Sequence, residues 1–123
     1  PYRRQRQMCI RDRNVYSGDD ALTAETCMYG GNGVISVAAN VAPKQMSQIT
    51  SLCRQGKTNE AAKIQFDLLP LIETLFSEVN PIPVRAALKL VGIDCGKPRL
   101  PMTEATAATI EKLKIQLKEL NIT

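Results

Sequence analysis

The sequence predicts an α/β fold in which two βα units of a parallel sheet precede an α-helical region. Over residues 15–56, two short β-branched runs are each followed by a helix-forming segment, and this order is typical of parallel βα units. After Gly56, apolar residues recur at three- and four-residue steps, which indicates helices. The 123 residues suffice for one modest domain with its own core.

The first predicted unit is a short strand ending at Tyr16, a turn over residues 17–20 and a helix over residues 21–29. The turn sequence SGDD favours a reversal of the chain, and either aspartate can cap the helix. The paired glycines at 30 and 31 should end the helix. Its buried side is expected to hold Leu22, Cys27 and Met28.

The second predicted unit is the strand Gly33–Val37 with a helix over residues 42–55. GVISV is β-branched and bounded by small residues, which is typical of a strand buried on both faces. Pro43 suits the first turn of the following helix, and Gly56 suits its end.

The rest of the chain predicts three helices. Residues 58–79 form one long apolar-periodic segment in which Pro70 should kink or divide the helix. NPIPV at 80–84 is expected to be an architectural corner of extended or turning backbone before a short helix that ends at Gly92. Thr103 can cap the last helix. The apolar stripe of that helix is expected to pack in the core rather than form a partner-binding groove, and it comprises Ile110, Leu113, Leu117 and Leu120.

The excess positive charge lies at the start of the chain. The sequence has 16 Lys and Arg against 12 Asp and Glu, a net charge of +4. Residues 1–13 hold five arginines and one aspartate, so this segment carries the whole excess and the remainder is neutral. A nucleic-acid-binding function, which the pI of about 9.0 would favour, therefore has no support outside this segment.

Residues 1–14 are predicted to be a non-native leader. The hexapeptide MCIRDR at 8–13 back-translates to a string that resembles the transposon end used to tag DNA libraries for sequencing, and such segments are excluded from fold reasoning. A phosphate-binding basic arm and a solvated tail are the alternatives.

Composition excludes several other classes of function. Histidine is absent, and the four cysteines include no CxxC pair, so no metal site is expected. No apolar run approaches the length of a membrane span. Scattered cysteines without a secretory signal indicate a reducing, cytoplasmic location.

Four stretches of residues 15–123 resemble the dihydrodipicolinate synthase family, also called the 4-hydroxy-tetrahydrodipicolinate synthase family. They are SGDD at 17–20, GGNGVISVAANVAP at 30–43, NPIPV at 80–84 and RLPM at 99–102. GVISV with NPIPV at this separation is a specific combination. NPIPV and RLPM favour the synthase over the related sialic acid lyases, which share the fold and the lysine chemistry. Arg85 stands where the family commonly has lysine, a change that keeps the charge.

The resemblance implies a TIM (β/α)8 barrel followed by an α-helical C-terminal domain, with this chain as a C-terminal fragment. Residues 15–56 would be the last two βα units and residues 57–123 the helical domain. Two parallel strands alone leave unpaired edges, so we expect a larger barrel upstream. The family's enzymes are usually homotetramers. The helix at 21–29 would lie near one subunit contact, which Met28 and Tyr29 suit, although a core position is as compatible with Met28.

The activity implied by the resemblance is that of a lyase of lysine (diaminopimelate) biosynthesis. A lysine amine forms a Schiff base with pyruvate, and the resulting enamine attacks aspartate semialdehyde with help from a tyrosine-centred proton relay; no cofactor is implied. A nucleophilic lysine requires a desolvated site, whereas every lysine here falls on a predicted helix, a helix end or a loop. The catalytic lysine and tyrosine are therefore expected upstream, and the fragment alone is predicted to be inactive.

Three residues are the candidate substrate-binding positions. Ile35 matches the family residue whose main chain contacts pyruvate, and the alternative is an ordinary strand-core role. Gly18 and Asp19 would lie on the active-site rim, at the end of the seventh barrel strand, where a turn cap is the favoured role for Asp19. The competing functions are a related pyruvate-dependent aldolase or lyase and a non-enzymatic helical interaction module.

Overall fold

The computed structural model describes residues 13–122, so the predicted leader lies outside the described residues except for its last two. Two short strands and five α-helices are found in this part of the chain. The strands are β1 (Tyr16–Ser17) and β2 (Gly33–Val34), and the helices are α1 (Thr23–Met28), α2 (Pro43–Arg54), α3 (Thr58–Leu75), α4 (Ile82–Leu90) and α5 (Ala107–Glu119). Single 3-10 turns at Asp20–Leu22 and Ala38–Asn40 precede α1 and α2.

The two strands are parallel, as predicted. Tyr16 pairs with Gly33 and Ser17 with Val34. The Ile35 N–H extends the pairing by donating to the Ser17 carbonyl at 2.9 Å. The second strand is shorter than the predicted Gly33–Val37, because the backbone turns away from β1 after Ile35 and enters a 3-10 turn.

The prediction that the second strand is buried on both faces is wrong for this chain. Gly33 is buried, but 73% of Ile35 is exposed, and Tyr16 on β1 is 52% exposed. Helix α1 packs on the strands, whereas no part of the chain within residues 13–122 covers Ile35. A strand that has helices packed on both faces has a continuously apolar sequence. The second strand has such a sequence, but no second helix of residues 13–122 covers its other face.

Helix α1 buries a different side from the predicted one. Leu22 and Met28 are 45% and 42% exposed and Cys27 is half-buried, while Thr23 and Ala24 are buried. The reason is a polar contact that propensity and periodicity do not show: the Ala24 N–H donates to the Gln65 side chain of α3. This bond turns the small residues of α1 towards the core.

The core lies between the helices. Helix α3 packs against α2 and α5, and α4 packs against α5. Ile49, Leu68, Leu71, Leu75, Leu113 and Leu117 are the largest apolar side chains with no exposed surface. The stripe of α5 is therefore core packing, as predicted, with Leu113 and Leu117 buried and Ile110 and Leu120 half-buried.

Helix α3 is not divided at Pro70, contrary to one of the two expected outcomes. Proline removes the hydrogen bond to the carbonyl four residues earlier, that of Phe66. Both Pro70 and Phe66 lie on the exposed side of the helix, where water can satisfy that carbonyl. The Pro70 carbonyl itself accepts from Thr74 Oγ1 and from Gln116 Nε2 of α5, both at 3.0 Å.

The boundaries of the last two helices differ from the predicted ones. Helix α4 begins at Ile82, inside NPIPV, because Pro83 fits the first turn, where no N–H is needed. The cap of α5 is Thr106 rather than Thr103: the Thr106 hydroxyl accepts from the Thr109 N–H at 3.4 Å. Arg85 Nη2 donates to the carbonyls of Cys95, Gly96 and Lys97 and so ties α4 to the connection that follows it.

Candidate functional site

The three candidate residues lie together at the carboxyl ends of the two strands. β1 ends at Ser17 and is followed by Gly18 and Asp19, while β2 ends at Val34 and is followed by Ile35. The hydrogen bond from the Ile35 N–H to the Ser17 carbonyl places the ends of the two strands side by side. Ligands of parallel α/β structures bind at this end of the strands, so the placement agrees with a site.

Ile35 offers one free main-chain group. Its side chain is largely exposed, and its N–H is used in the bond to Ser17. Among the described residues, none donates a hydrogen bond to the Ile35 carbonyl oxygen. The predicted main-chain contact of Ile35 is therefore available only through the carbonyl, which accepts hydrogen bonds and cannot donate them.

Asp19 is a cap, the role that the sequence favoured. Its Oδ1 accepts from the Ala21 N–H at 2.9 Å. Its own N–H donates to Ser17 Oγ at 3.0 Å, and that hydroxyl donates to the Asp19 carbonyl at 2.9 Å. Gly18 is exposed, with no atom of the protein within 4 Å of a Cβ placed there. The rim role of both residues stays a prediction.

A second aspartate, Asp20, lies at this end of the strands. The sequence indicated only a possible capping role for it. It is only 1% exposed. Its Oδ2 accepts from the Val37 and Ala38 N–H groups, each at 3.0 Å. These two residues follow Ile35 by two and three positions. The sequence carried no signal that separates this carboxylate from that of Asp19, since both follow the same turn.

Gln65 of α3 joins this network from the helical region. Its Nε2 donates to the Asp20 carbonyl at 3.1 Å, and its Oε1 accepts from the Ala24 N–H at 3.2 Å. A sequence signal for Gln65 did exist: it lies four residues after Ala61 and three before Leu68, both buried. A polar residue within an apolar helical stripe is expected to have hydrogen-bond partners.

All lysines of the chain are exposed, and they lie on α2, α3, α4 and α5, at the start of α3 or in the connection before α5. None lies at the carboxyl ends of the strands, so none of these lysines places a desolvated amine near Ile35. The assignment of the Schiff-base lysine to an upstream residue stays a prediction. Within residues 13–122, no three His, Cys, Asp or Glu side chains are grouped as metal ligands would be. The helices of this part are too short or too polar to span a membrane.

The chain is similar to known proteins over most of its length. The sequence profile of the Dihydrodipicolinate synthetase family matches residues 2–120. The 4-hydroxy-tetrahydrodipicolinate synthase of Acetivibrio thermocellus is 46% identical over 112 residues, which are 91% of this chain and 38% of that protein.

Solved structures are similar to the chain at a comparable sequence identity. A dihydrodipicolinate synthase variant described as monomeric superposes with a TM-score of 0.88 at 42% identity, covering 91% of this chain and 37% of its own. The chloride-inhibited dihydrodipicolinate synthase of Acinetobacter baumannii, complexed with pyruvate, superposes with a TM-score of 0.83 at 40% identity, covering 89% and 38%.

The chain thus spans a little over a third of the length of the relatives that it matches. The match over residues 2–120, the identity to these relatives and the partial barrel followed by helices lead to one conclusion. The chain belongs to the dihydrodipicolinate synthetase family.

Proposed function

We propose that this chain is the C-terminal part of a 4-hydroxy-tetrahydrodipicolinate synthase, a lyase that condenses pyruvate with aspartate semialdehyde in lysine biosynthesis. The observation that carries the proposal is the carbonyl of Ile35, to which none of residues 13–122 donates a hydrogen bond. Ile35 follows β2 where Gly18 and Asp19 follow β1, at the carboxyl ends of the parallel strands. The pyruvate complex of the related Acinetobacter baumannii enzyme supports pyruvate as one substrate.

In the proposed reaction, a lysine amine outside this chain adds to the pyruvate ketone and gives a carbinolamine, which loses water to form the Schiff base. The Ile35 carbonyl can form a hydrogen bond only with a donor. Free pyruvate at neutral pH has no donor, whereas the carbinolamine hydroxyl and the protonated imine have one each. The Ile35 contact would therefore form as the adduct forms, which is the kind of interaction that speeds the chemical step.

The proposed whole enzyme is a homotetramer, and α1 is the proposed contact in this part of it. Tyr29 follows α1 directly and is 91% exposed, with Met28 beside it 42% exposed. Exposed aromatic side chains of this size are enriched in protein interfaces. A related dihydrodipicolinate synthase variant is described as monomeric. A cytoplasmic location is part of the same proposal.

The test uses the full-length protein encoded by the uninterrupted gene that contains residues 15–123. The purified protein is incubated with pyruvate and borohydride, and its condensation of pyruvate with aspartate semialdehyde is measured. We expect a single trapped pyruvate on a lysine upstream of residue 15 and turnover with aspartate semialdehyde. Turnover of N-acetylneuraminate instead would identify a sialic acid lyase, and an adduct on a lysine within residues 44–118 would contradict the proposal.

A further inference from the structure

Asp20 and Gln65 form a buried polar connection, called here the Asp20–Gln65 clamp, between the strand ends and α3. Asp20 is 1% exposed and Gln65 is 6% exposed. The carboxylate of Asp20 accepts two backbone N–H groups after β2, and the main-chain carbonyl of Asp20 accepts from Gln65. Gln65 also accepts from the Ala24 N–H of α1. One side chain of α3 therefore holds the segment from which the carboxylate projects.

The clamp holds the backbone on one side of the Ile35 carbonyl. On the other side, the Ile35 N–H is bonded to Ser17 at 2.9 Å. After Ser36, the Val37 and Ala38 N–H groups are bonded to Asp20 at 3.0 Å each. The peptide unit that carries the Ile35 carbonyl thus lies between two anchored points only two residues apart, which leaves it little freedom to rotate.

Holding this segment with a buried carboxylate costs free energy. Burial of a charge costs free energy that its hydrogen bonds must offset, and Asp20 Oδ1 is buried without a hydrogen-bond partner among residues 13–122. Charge-assisted bonds to backbone N–H groups are stronger than neutral ones and restrict geometry more. A function that requires an immobile carbonyl explains why a carboxylate stands here.

We propose that Asp20 is a positioning residue that holds the Ile35 carbonyl in the orientation in which it contacts the pyruvate adduct. Gln65 makes this orientation depend on the position of α3. The inference rests on the proposed function, because it concerns the main-chain contact that the function assigns to Ile35. It adds a role for the helical region: α3 supports the reacting end of the strands through one amide side chain.

The test compares variants of the full-length enzyme by the rate of borohydride-trapped pyruvate adduct. Asp20→Ala is expected to lower the maximal rate about 100-fold, because a misplaced group near the reacting atoms has effects of this order. Asp20→Asn, which keeps an acceptor oxygen, should recover part of that loss. Gln65→Met keeps the volume, removes both amide bonds and should lower the rate about tenfold.

Two readouts separate positioning from loss of stability. The pyruvate concentration for half-maximal trapping should change by about threefold at most, because free pyruvate offers the carbonyl no donor. Thr74→Val is the matched control: Thr74 is a buried polar residue of α3, and its hydroxyl bonds to Pro70 of α3 and to Gln116 of α5. It should lower stability and leave the maximal rate unchanged.

Folded Asp20→Asn and Gln65→Met proteins with the parent rate would overturn the inference, as would an equal loss in Thr74→Val. If Asp20→Ala does not fold, these two variants decide. A parent enzyme that traps no pyruvate would instead refute the proposed function, so the two failures are distinguishable.

Discussion

Gly31 shows how a single backbone position decides where α1 ends. Its N–H donates to the Thr26 carbonyl at 2.8 Å. A Cβ at this position would lie 2.5 Å from Thr26 Cγ2 and 2.7 Å from that same carbonyl oxygen. Gly30 beside it has φ of +91°, a left-handed conformation that favours glycine. Both glycines were predicted as a helix stop, and the close approach at Gly31 is the additional reason.

We therefore expect Gly31→Ala to lower the free energy of unfolding of the chain by about 1–3 kcal/mol, the usual cost of overpacking. Chemical denaturation followed by circular dichroism measures the change. Gly18→Ala is the matched control, because a Cβ at Gly18 would have open space around it. Equal stability of the two variants would show that the backbone at Gly31 moves freely.

The thiols of Cys27 and Cys53 share a half-buried environment between α1 and α2. Cys53 Sγ donates to the Ala24 carbonyl at 3.9 Å. Burial raises the pKa of the Cys27 thiol, which Arg54 opposes. Burial and the neighbouring Cys27 thiol both raise the pKa of Cys53. Cys95, by contrast, is exposed.

A raised pKa means less thiolate at a given pH, and the thiolate is the reactive form. At neutral pH, a maleimide should therefore label Cys95 before Cys27 and Cys53, and the labelling of these two should accelerate as the pH rises. Peptide mapping by mass spectrometry after timed quenching measures the order. Labelling of Cys27 or Cys53 ahead of Cys95 in the folded protein would contradict the burial described here.

At the scale of secondary-structure elements, the start of α5 is held by a carboxylate from the connection that follows α3. Glu78 Oε1 accepts from the Thr106 N–H at 3.2 Å, from Thr106 Oγ1 at 2.8 Å and from Thr109 Oγ1. The hydrogen bond from Thr109, then that from Thr106, lowers the pKa of Glu78. A negative charge at a helix N-terminus is also favoured by the helix dipole.

The lowered pKa predicts a loss of stability in acid. The contribution of Glu78 is fully present above the pKa of an unfolded glutamate, about 4.3, and is lost as the pH falls through the lower folded-state pKa. Glu78→Gln should reduce the melting temperature at pH 7 and flatten this acid dependence. Glu73→Gln, at an exposed position of α3, is the control and should leave the melting temperature at pH 7 close to that of the parent.

The cap residue itself gives a second test of this element. Thr106→Ala removes the hydroxyl that bonds to Glu78 and accepts from the Thr109 N–H, and such a change costs about 1 kcal/mol. Thr103→Ala should cost little, since Thr103 is exposed and outside the helix. Denaturant unfolding of both variants decides between the structural cap and the one expected from sequence.

At the scale of the whole molecule, the chain holds the proposed substrate-binding residues, but none of its lysines is buried. All of its lysines are exposed, whereas a lysine that forms a Schiff base requires a desolvated site. We expect the 123-residue chain, incubated with pyruvate and borohydride, to show no specific adduct by mass spectrometry. Stoichiometric addition to one lysine would contradict this, and the full-length protein is the positive control.

The part of this architecture that the sequence predicts correctly depends on interactions between residues close in the chain. Parallel βα order, the stop at Gly30 and Gly31, the start of α2 at Pro43 and the stripe of α5 depend on short-range periodicity and on backbone restrictions of glycine and proline. Those determinants act within a few residues, so they can be recognised in a single sequence. The motifs in turn indicated the family and placed Ile35, Gly18 and Asp19 at one end of the strands, an arrangement that the structure reproduces.

Tertiary contacts decided the rest. Asp20 and Asp19 are chemically identical neighbours, and only the approach of Val37, Ala38 and Gln65 makes one a buried anchor and leaves the other a surface cap. The buried side of α1 and the cap of α5 likewise depend on partners 41 and 28 residues away, respectively. A hydrogen bond across such a separation exists only once the helices have packed, so no local pattern could specify it.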